Sequence, residues 1–188
     1  MNLYTAVLFV HAIAVLVLTA ALTMEAWVLL QLRRTMRPTD ARPWIGTMQP
    51  VAIAAISSLV IIYVTGAYLT ESLHSGAFAW PRAAVLEIVL FALLGAMTGR
   101  RMRRVRRNAA SEQMNLSEWS TLTSSPFLKV SLSIRIWIVM GTILLTAAKP
   151  DLRGSLLIVA CSLILGLLFS FVSFGQRSVV STAQAGHR

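Results

Sequence analysis

Residues 3–30 read LYTAVLFVHAIAVLVLTAALTMEAWVLL, and His11 and Glu25 are the only His, Asp, Glu, Lys or Arg residues among them. A helix needs about 20 consecutive apolar residues to cross the hydrocarbon core of a bilayer. The apolar residues here form a continuous block, unlike the one-sided stripe of a soluble amphipathic helix. This stretch therefore predicts a transmembrane helix and indicates a membrane protein.

Four further apolar blocks follow the first. They cover roughly residues 50–70, 82–99, 127–147 and 154–175. Hydrophobic residues make up 56% of the 188 and charged residues 13%, with a mean hydropathy of +0.71, whereas soluble domains carry about 25% charged residues. The connections are too short for a second domain. We therefore predict a single all-α domain, residues 1–188, that forms a polytopic bundle of five transmembrane helices.

Basic residues alternate between the two ends of the predicted helices. They follow the first, third and fifth helices at Arg33, Arg34, Arg37, Arg42, six arginines within 100–107, Arg177 and Arg188. The opposite side carries Arg82, Lys149 and Arg153. Cytoplasmic loops of membrane proteins are enriched in Lys and Arg. The pattern predicts an N-terminus outside, a cytoplasmic C-terminus and a cytoplasmic loop at 100–126, and the compact size suggests a bacterial inner membrane.

The formal charge of +10 is concentrated in GRRMRRVRR, residues 99–107. Such a run resembles a nucleic-acid-binding patch, but the orientation rule already accounts for it. Arginines at a membrane surface also attract anionic lipid headgroups. We predict the lipid bilayer, with anionic headgroups at Arg100–Arg107, as the partner of this segment, and no nucleic acid.

Charged side chains within the predicted bundle are candidates for a functional site, because such residues are costly in a membrane. They are Glu25, Glu87, Arg135 and Lys149. At 1.5 Å per residue, Arg135 lies roughly 10 Å from the cytoplasmic end of its helix and Glu25 roughly 12 Å from Arg33. We therefore predict a Glu25–Arg135 ion pair, with Glu87 as the alternative partner of the arginine. Glu87 and His11 fall at a similar depth nearer the outside, which predicts a His11–Glu87 constellation there.

The fifth predicted helix carries small residues on one face. They are Ser155, Ser162, Gly166 and Ser173, with Ser170 nearby. Small residues at this spacing let helix backbones approach closely. The face is predicted to pack either within the bundle or against a second copy in a homo-oligomer.

The beginning of the chain, FVHAIAVLVL at 9–18 followed by LRR at 32–34, resembles the small membrane families around copper-resistance protein D and HemJ-type protoporphyrinogen oxidase. TGAYL at 65–69 and AAKPDL at 147–152 are similar to a related, uncharacterised integral-membrane family. Members of the HemJ type hold haem b within the helical bundle. Their histidine in the first helix corresponds to His11, so the resemblance implies a haem b site with His11 as axial ligand.

Two classes of function fit these residues. The first is a protein that binds haem b or a metal through His11. The second ligand would be a methionine such as Met24, Met97 or Met140, or another side chain, or its position would be open. The second is a transporter or an accessory or structural membrane protein, in which buried Glu/Arg pairs relay protons or fix helix register. The sequence has no motif for nucleotide, zinc or serine chemistry and no cluster of metal ligands, so it predicts no enzyme class.

Overall fold

The computed structural model describes residues 2–34, 38–110 and 126–185, and this part of the chain is helical apart from short turns. Its elements are α1 (Leu3–Arg34), α2 (Pro38–Ser72), a 3₁₀ turn (Ser75–Ala77), α3 (Ala79–Ala110), α4 (Pro126–Ala148) and α5 (Leu152–Ala185). All five α-helices are long and apolar enough to cross a membrane. The predicted all-α bundle of five membrane helices is confirmed, and the chain is a multi-pass integral membrane protein.

The surface of the bundle is apolar along its length. Only 17% to 33% of the most apolar window of each helix is buried inside the molecule. Large side chains such as Leu16, Ile56 and Leu93 are more than half exposed. Water would penalise so much apolar area. These faces therefore contact the lipid bilayer.

Helices α2, α3 and α5 extend well beyond the apolar blocks predicted for them. Because α3 continues to Ala110, Arg100–Arg107 belongs to a helix, and the prediction of a loop at 100–126 is wrong for its first part. Arginine and alanine favour helix formation, and no glycine or proline interrupts residues 100–110. Residues 111–125 lie outside the described part of the chain. The N-terminal extension of α2 contains Pro43, and Pro50 begins its apolar block.

The helices run in alternating directions, so the bundle has two distinct ends. We call the end where α1 and α3 finish the basic end, and the other the N-terminal end. Buried apolar side chains form three clusters between these ends. The cluster near the basic end contains Val28, Leu29, Leu32, Met48, Met102 and Leu128. The middle cluster contains Ala14, Leu18, Leu22, Ile62, Phe91, Ile134 and Ile138, and the third contains Ala83, Leu145 and Val159.

The helices form two groups, α1 with α2 and α3 with α4 and α5, which meet mainly through α2 and α3, whereas α1 and α4 have few contacts. The small-residue face of α5 packs against α4. A Cβ at Gly166 would lie 2.7 Å from the Cα of Ile134, and Ser133 Oγ donates a hydrogen bond of 2.8 Å to the carbonyl of Gly166. The side chains of Ser155 and Ser162 are buried too. This face is thus used within the bundle, although the side chain of Ser173 lies outside the described part.

Candidate functional site

A cavity of about 930 Å³ lies among α1, α2, α3 and α4 and reaches the surface at the N-terminal end. Most of the side chains that line it are apolar. Its innermost part is formed by Leu18, Phe91 and Ile138, which belong to the middle core cluster. Four ionisable side chains line its outer part, which we call the mouth: Glu71, His74, Arg82 and Lys149. The cavity therefore offers an apolar interior beneath a polar entrance.

His11 projects from α1 into the wall of this cavity. Its Nδ1 lies 2.8 Å from the hydroxyl of Thr65 on α2. Gly66 lets the imidazole lie close to the α2 backbone, because a Cβ there would be 3.4 Å from His11 Cε1. The ring is thus held between two helices.

The hydrogen bonds of Thr65 determine which nitrogen of His11 carries the proton. The Thr65 hydroxyl donates to the carbonyl of Ile61 at 2.5 Å. Since a hydroxyl has one proton, it accepts from His11 Nδ1. In the neutral imidazole Nε2 then keeps its lone pair. The backbone of Ile62 also hydrogen-bonds to the His11 ring. No described side chain hydrogen-bonds to Nε2, so this nitrogen is available to a ligand in the cavity.

The predicted Glu25–Arg135 pair forms across the interior of the bundle. Arg135 Nη2 donates to Glu25 Oε1, and both side chains are buried. The pair joins α1 to α4. The Phe91 ring centroid lies 5.6 Å from the guanidinium carbon of Arg135, within the range of a cation–π contact. Because Phe91 also lines the cavity, its ring separates the inner end of the cavity from the ion pair.

Ser131 lies on the buried side of α4, as Arg135 does, but its hydroxyl makes no hydrogen bond to the guanidinium group. Its hydroxyl lies 2.8 Å from that of Thr98 and 3.3 Å from the carbonyl of Leu94. It therefore ties α4 to α3. Arg135 Nε has no hydrogen-bond partner among the described residues.

The predicted His11–Glu87 constellation does not form. Glu87 has no exposed surface, and its Oε2 lies 2.6 Å from the hydroxyl of Thr142 on α4. Its Oε1 faces Gly141, where a Cβ would lie only 2.6 Å away, and Ser162 of α5 borders the same space. Depth along the membrane is similar for the two residues, but α3 directs Glu87 toward α4 and α5 while His11 faces α2. The prediction is wrong for that reason.

Lys149 lies at the mouth of the cavity and is exposed, so it is not part of the buried interior. It follows the last residue of α4 with φ at 48°, and its backbone N–H donates to the carbonyl of Leu145 at 3.0 Å. A left-handed residue that makes this bond is a common helix ending. The following Pro150 prevents the helix from continuing.

None of the three methionines considered as haem ligands lines the cavity. Met24, Met97 and Met140 are 45% to 56% exposed and face the lipid side of the bundle. Among the described residues there is also no group of three or more His, Cys, Asp or Glu that could hold a metal ion. A copper site needs several such ligands, and the described residues do not bring them together.

Phe91 is a site residue that the sequence does not single out, and Thr65 is marked there only as a polar residue of the second predicted helix, without a partner. Thr65 fixes the tautomer of His11, and Phe91 lies between the cavity and Arg135. The signal for Thr65 is its place beside Gly66 within the TGAYL phrase, where a small residue marks a close helix approach. Phe91 is one apolar residue among many in α3, so the sequence carried no such signal for it.

The chain matches no family model, no curated protein and no solved structure. The cavity beside His11 and the buried charges are therefore the features that bear on function.

Proposed function

We propose that this integral membrane protein binds a large lipophilic cofactor in the cavity among α1–α4, and that the cofactor is haem b with His11 as axial ligand. The observation that carries the proposal is the orientation of His11. Its Nδ1 is bound by Thr65, and its Nε2 is left without a described partner in the wall of a mostly apolar cavity of about 930 Å³. The resemblance of the first helix to haem-binding membrane families points the same way.

The size and lining of the cavity fit such a ligand. Sites for small molecules and cofactors are commonly about 300–1,000 Å³ and mostly apolar, with few polar groups that fix orientation. Histidines that bind metals usually donate their other ring N–H to a neighbouring acceptor, which sets the tautomer and the ring plane. The Thr65 hydroxyl has this role for His11. Nε2 is then the nitrogen that would bind the iron.

The mouth of the cavity suits the acidic side of an amphipathic ligand. Arg82 and Lys149 both line it, and neither forms an ion pair with a described residue. These cations would hold the two propionates of haem b, with Glu71 limiting the net positive charge. Bound haem would supply electron transfer or the binding of a small ligand. No described methionine lines the cavity to act as a further ligand.

Absorption spectroscopy tests this proposal directly. Protein purified from cells supplied with a haem precursor, or titrated with haemin, is expected to show a Soret band. His11→Ala should abolish or shift the band, whereas His74→Ala, which changes the histidine at the mouth, should retain it. An unchanged spectrum in His11→Ala would exclude this ligand, and wild-type protein that takes up no haemin would contradict the haem proposal.

We further propose that the basic end faces the cytoplasm of a bacterial inner membrane. The arginine distribution supports this orientation. The arginines within 100–107 extend α3 beyond its apolar window, where they can meet anionic lipid headgroups. In this orientation, the mouth of the cavity opens on the outer side of the membrane.

A second candidate is a transporter or an accessory or structural membrane protein in which the buried charges serve proton relay or helix assembly. The Glu25–Arg135 pair favours assembly, because it connects α1 to α4, two helices that otherwise have few contacts. Any homo-oligomer would need a face other than the small-residue face of α5. Protein that is stable and colourless and depends on this ion pair would support the second candidate.

A further inference from the structure

The carboxyl group of Glu87 lies where three helices meet and has no opposite charge beside it. Its side chain is on α3, Thr142 and Gly141 belong to α4, and Ser162 belongs to α5. The residue has no exposed surface, and its Oε1 has no hydrogen-bond partner among the described residues. A carboxylate in such a place would be an uncompensated buried charge.

Charged groups on the same helices are too far away to compensate it. Arg135 and Lys149 each lie seven residues from Thr142, which corresponds to roughly 10 Å along α4. Arg135 is already paired with Glu25, and Lys149 is exposed at the mouth. On α3 the nearest cation is Arg82 at the mouth, and within the described part of α5 the residue facing Glu87 is Ser162. No described cation therefore contacts Glu87.

The number of hydroxyl protons around Glu87 indicates which protonation state of its carboxyl group can be buried. Thr142 Oγ1 lies 2.6 Å from Glu87 Oε2 and 3.0 Å from the carbonyl of Ile138. One hydroxyl proton cannot serve both oxygens. Both contacts are hydrogen bonds at once when Glu87 is a neutral acid that donates to Thr142, while Thr142 donates to the carbonyl.

Ser162 lies beside the carboxyl group, and its hydroxyl could serve a carboxylate only by giving up its hydrogen bond to the α5 backbone. Its hydroxyl donates to the carbonyl of Ile158 at 2.9 Å. Glu87 as an anion would then have at most the hydroxyl protons of Thr142 and Ser162, each taken from a helix carbonyl. A buried carboxylate is normally stabilised by several donors or a cation. The neutral acid leaves one carbonyl-type oxygen beside Gly141, which is a smaller cost.

We propose that Glu87 is a proton-binding site and exchanges its proton with the cavity through the hydroxyl of Thr142. Thr142 lines the cavity as well as contacting Glu87. The Thr142 O–H turns from the carbonyl of Ile138 and releases its proton to a water or a basic ligand group in the cavity, as the Glu87 proton passes to Thr142 Oγ1. Glu87 becomes a carboxylate, the acceptor gains one positive charge, and the return step restores both. The site requires the cavity but not haem.

Infrared spectroscopy of the purified protein in lipid nanodiscs tests the proposal. At neutral pH the wild type is expected to show the carbonyl band of a protonated carboxylic acid, and the isosteric Glu87→Gln should lose it. Glu71→Gln, which changes the exposed carboxyl group at the mouth, should leave the band unchanged. A band that persists in Glu87→Gln, or is absent from the wild type, would show that Glu87 is not the proton-binding group.

Two variants of Thr142 test the route. Thr142→Val is expected to shift the acid band to higher frequency and to slow its exchange in D₂O several-fold, because the hydrogen bond and the bridging hydroxyl are both lost. Thr142→Ser should restore the position of the band and the exchange rate. An unchanged band and wild-type exchange in Thr142→Val would overturn the proposed path, and this result does not depend on Glu87→Gln folding.

Discussion

Arg135 is buried in α4 at a depth where an unpaired guanidinium would cost several kcal/mol, and Glu25 on α1 supplies the opposite charge. The ion pair need not stabilise the fold relative to apolar residues of the same size, because both groups lose their hydration. Its effect on stability should therefore be visible mainly when one partner is removed. The remaining charge would then be left alone inside the bundle.

A double-mutant cycle tests this coupling. Glu25→Ala and Arg135→Ala are each expected to lower the free energy of unfolding by about 3–5 kcal/mol. The double variant should lose clearly less than the sum, because it leaves no isolated charge. Thermal unfolding midpoints, measured in the same detergent for all variants, would rank their stabilities. Glu71→Ala, which removes an exposed carboxyl group, is the control and should change little; strictly additive losses would contradict the coupling.

The depths of side chains could be predicted from the sequence, but their directions around the helix axes could not. The rise per residue alone placed Glu25 level with Arg135, and the pair forms. The same calculation placed Glu87 level with His11, yet Thr142 and Thr65 are their partners instead. The rotation of α3 about its axis depends on how it packs against α4 and α5. The sequence near Glu87 or His11 does not determine that packing.

At the scale of helices, the length of each apolar block was sufficient to predict all five helices. The residues at which the helices begin and end were predicted less well. Hydropathy marks where the bilayer contacts a helix, but helical hydrogen bonding continues past that point where the residues permit it. For this reason α3 extends through its arginines to Ala110 and α2 begins as early as Pro38. The small-residue face of α5 was predicted, but the helix that covers it was not.

The close approach of α3, α4 and α5 depends on Gly141. A Cβ at this position would overlap Ser162 Oγ and lie 2.6 Å from Glu87 Oε1. Gly141→Ala should therefore push the helices apart and destabilise the protein by about 1–3 kcal/mol, as overpacking does. Gly99→Ala is the matched control on α3, since no atom lies within 4 Å of a Cβ built there.

The two glycine variants are expected to differ in sign. Alanine favours a helix over glycine by about 0.5–1 kcal/mol, so Gly99→Ala should keep or raise the thermal midpoint while Gly141→Ala lowers it. Equal midpoints for the two variants would indicate that Ser162 and Glu87 can move aside without cost. The Gly141→Ala variant should also disturb the carboxylic acid band of Glu87.

At the scale of the whole molecule, the cavity arises from the arrangement of two helix groups. The α1–α2 group and the α3–α5 group meet closely near the Glu25–Arg135 pair and leave space toward the N-terminal end. A cavity is formed where four helices fail to touch, and apolar residues that line one resemble those facing lipid. The sequence could therefore point to His11 as a candidate ligand but could not locate the space in front of it.

The orientation of the bundle decides which compartment supplies the cavity. The proposed orientation, with the basic end in the cytoplasm, would place the mouth, including His74, on the outer side. Single-cysteine labelling in intact cells can test this, starting from Cys161→Ser because Cys161 is exposed on α5. In that background His74→Cys should react with a membrane-impermeant maleimide, whereas Arg107→Cys, at an exposed position near the end of α3, should react only after the cells are permeabilised. The reverse pattern would place the mouth in the cytoplasm and any exchange of ligand or protons with the cavity on that side.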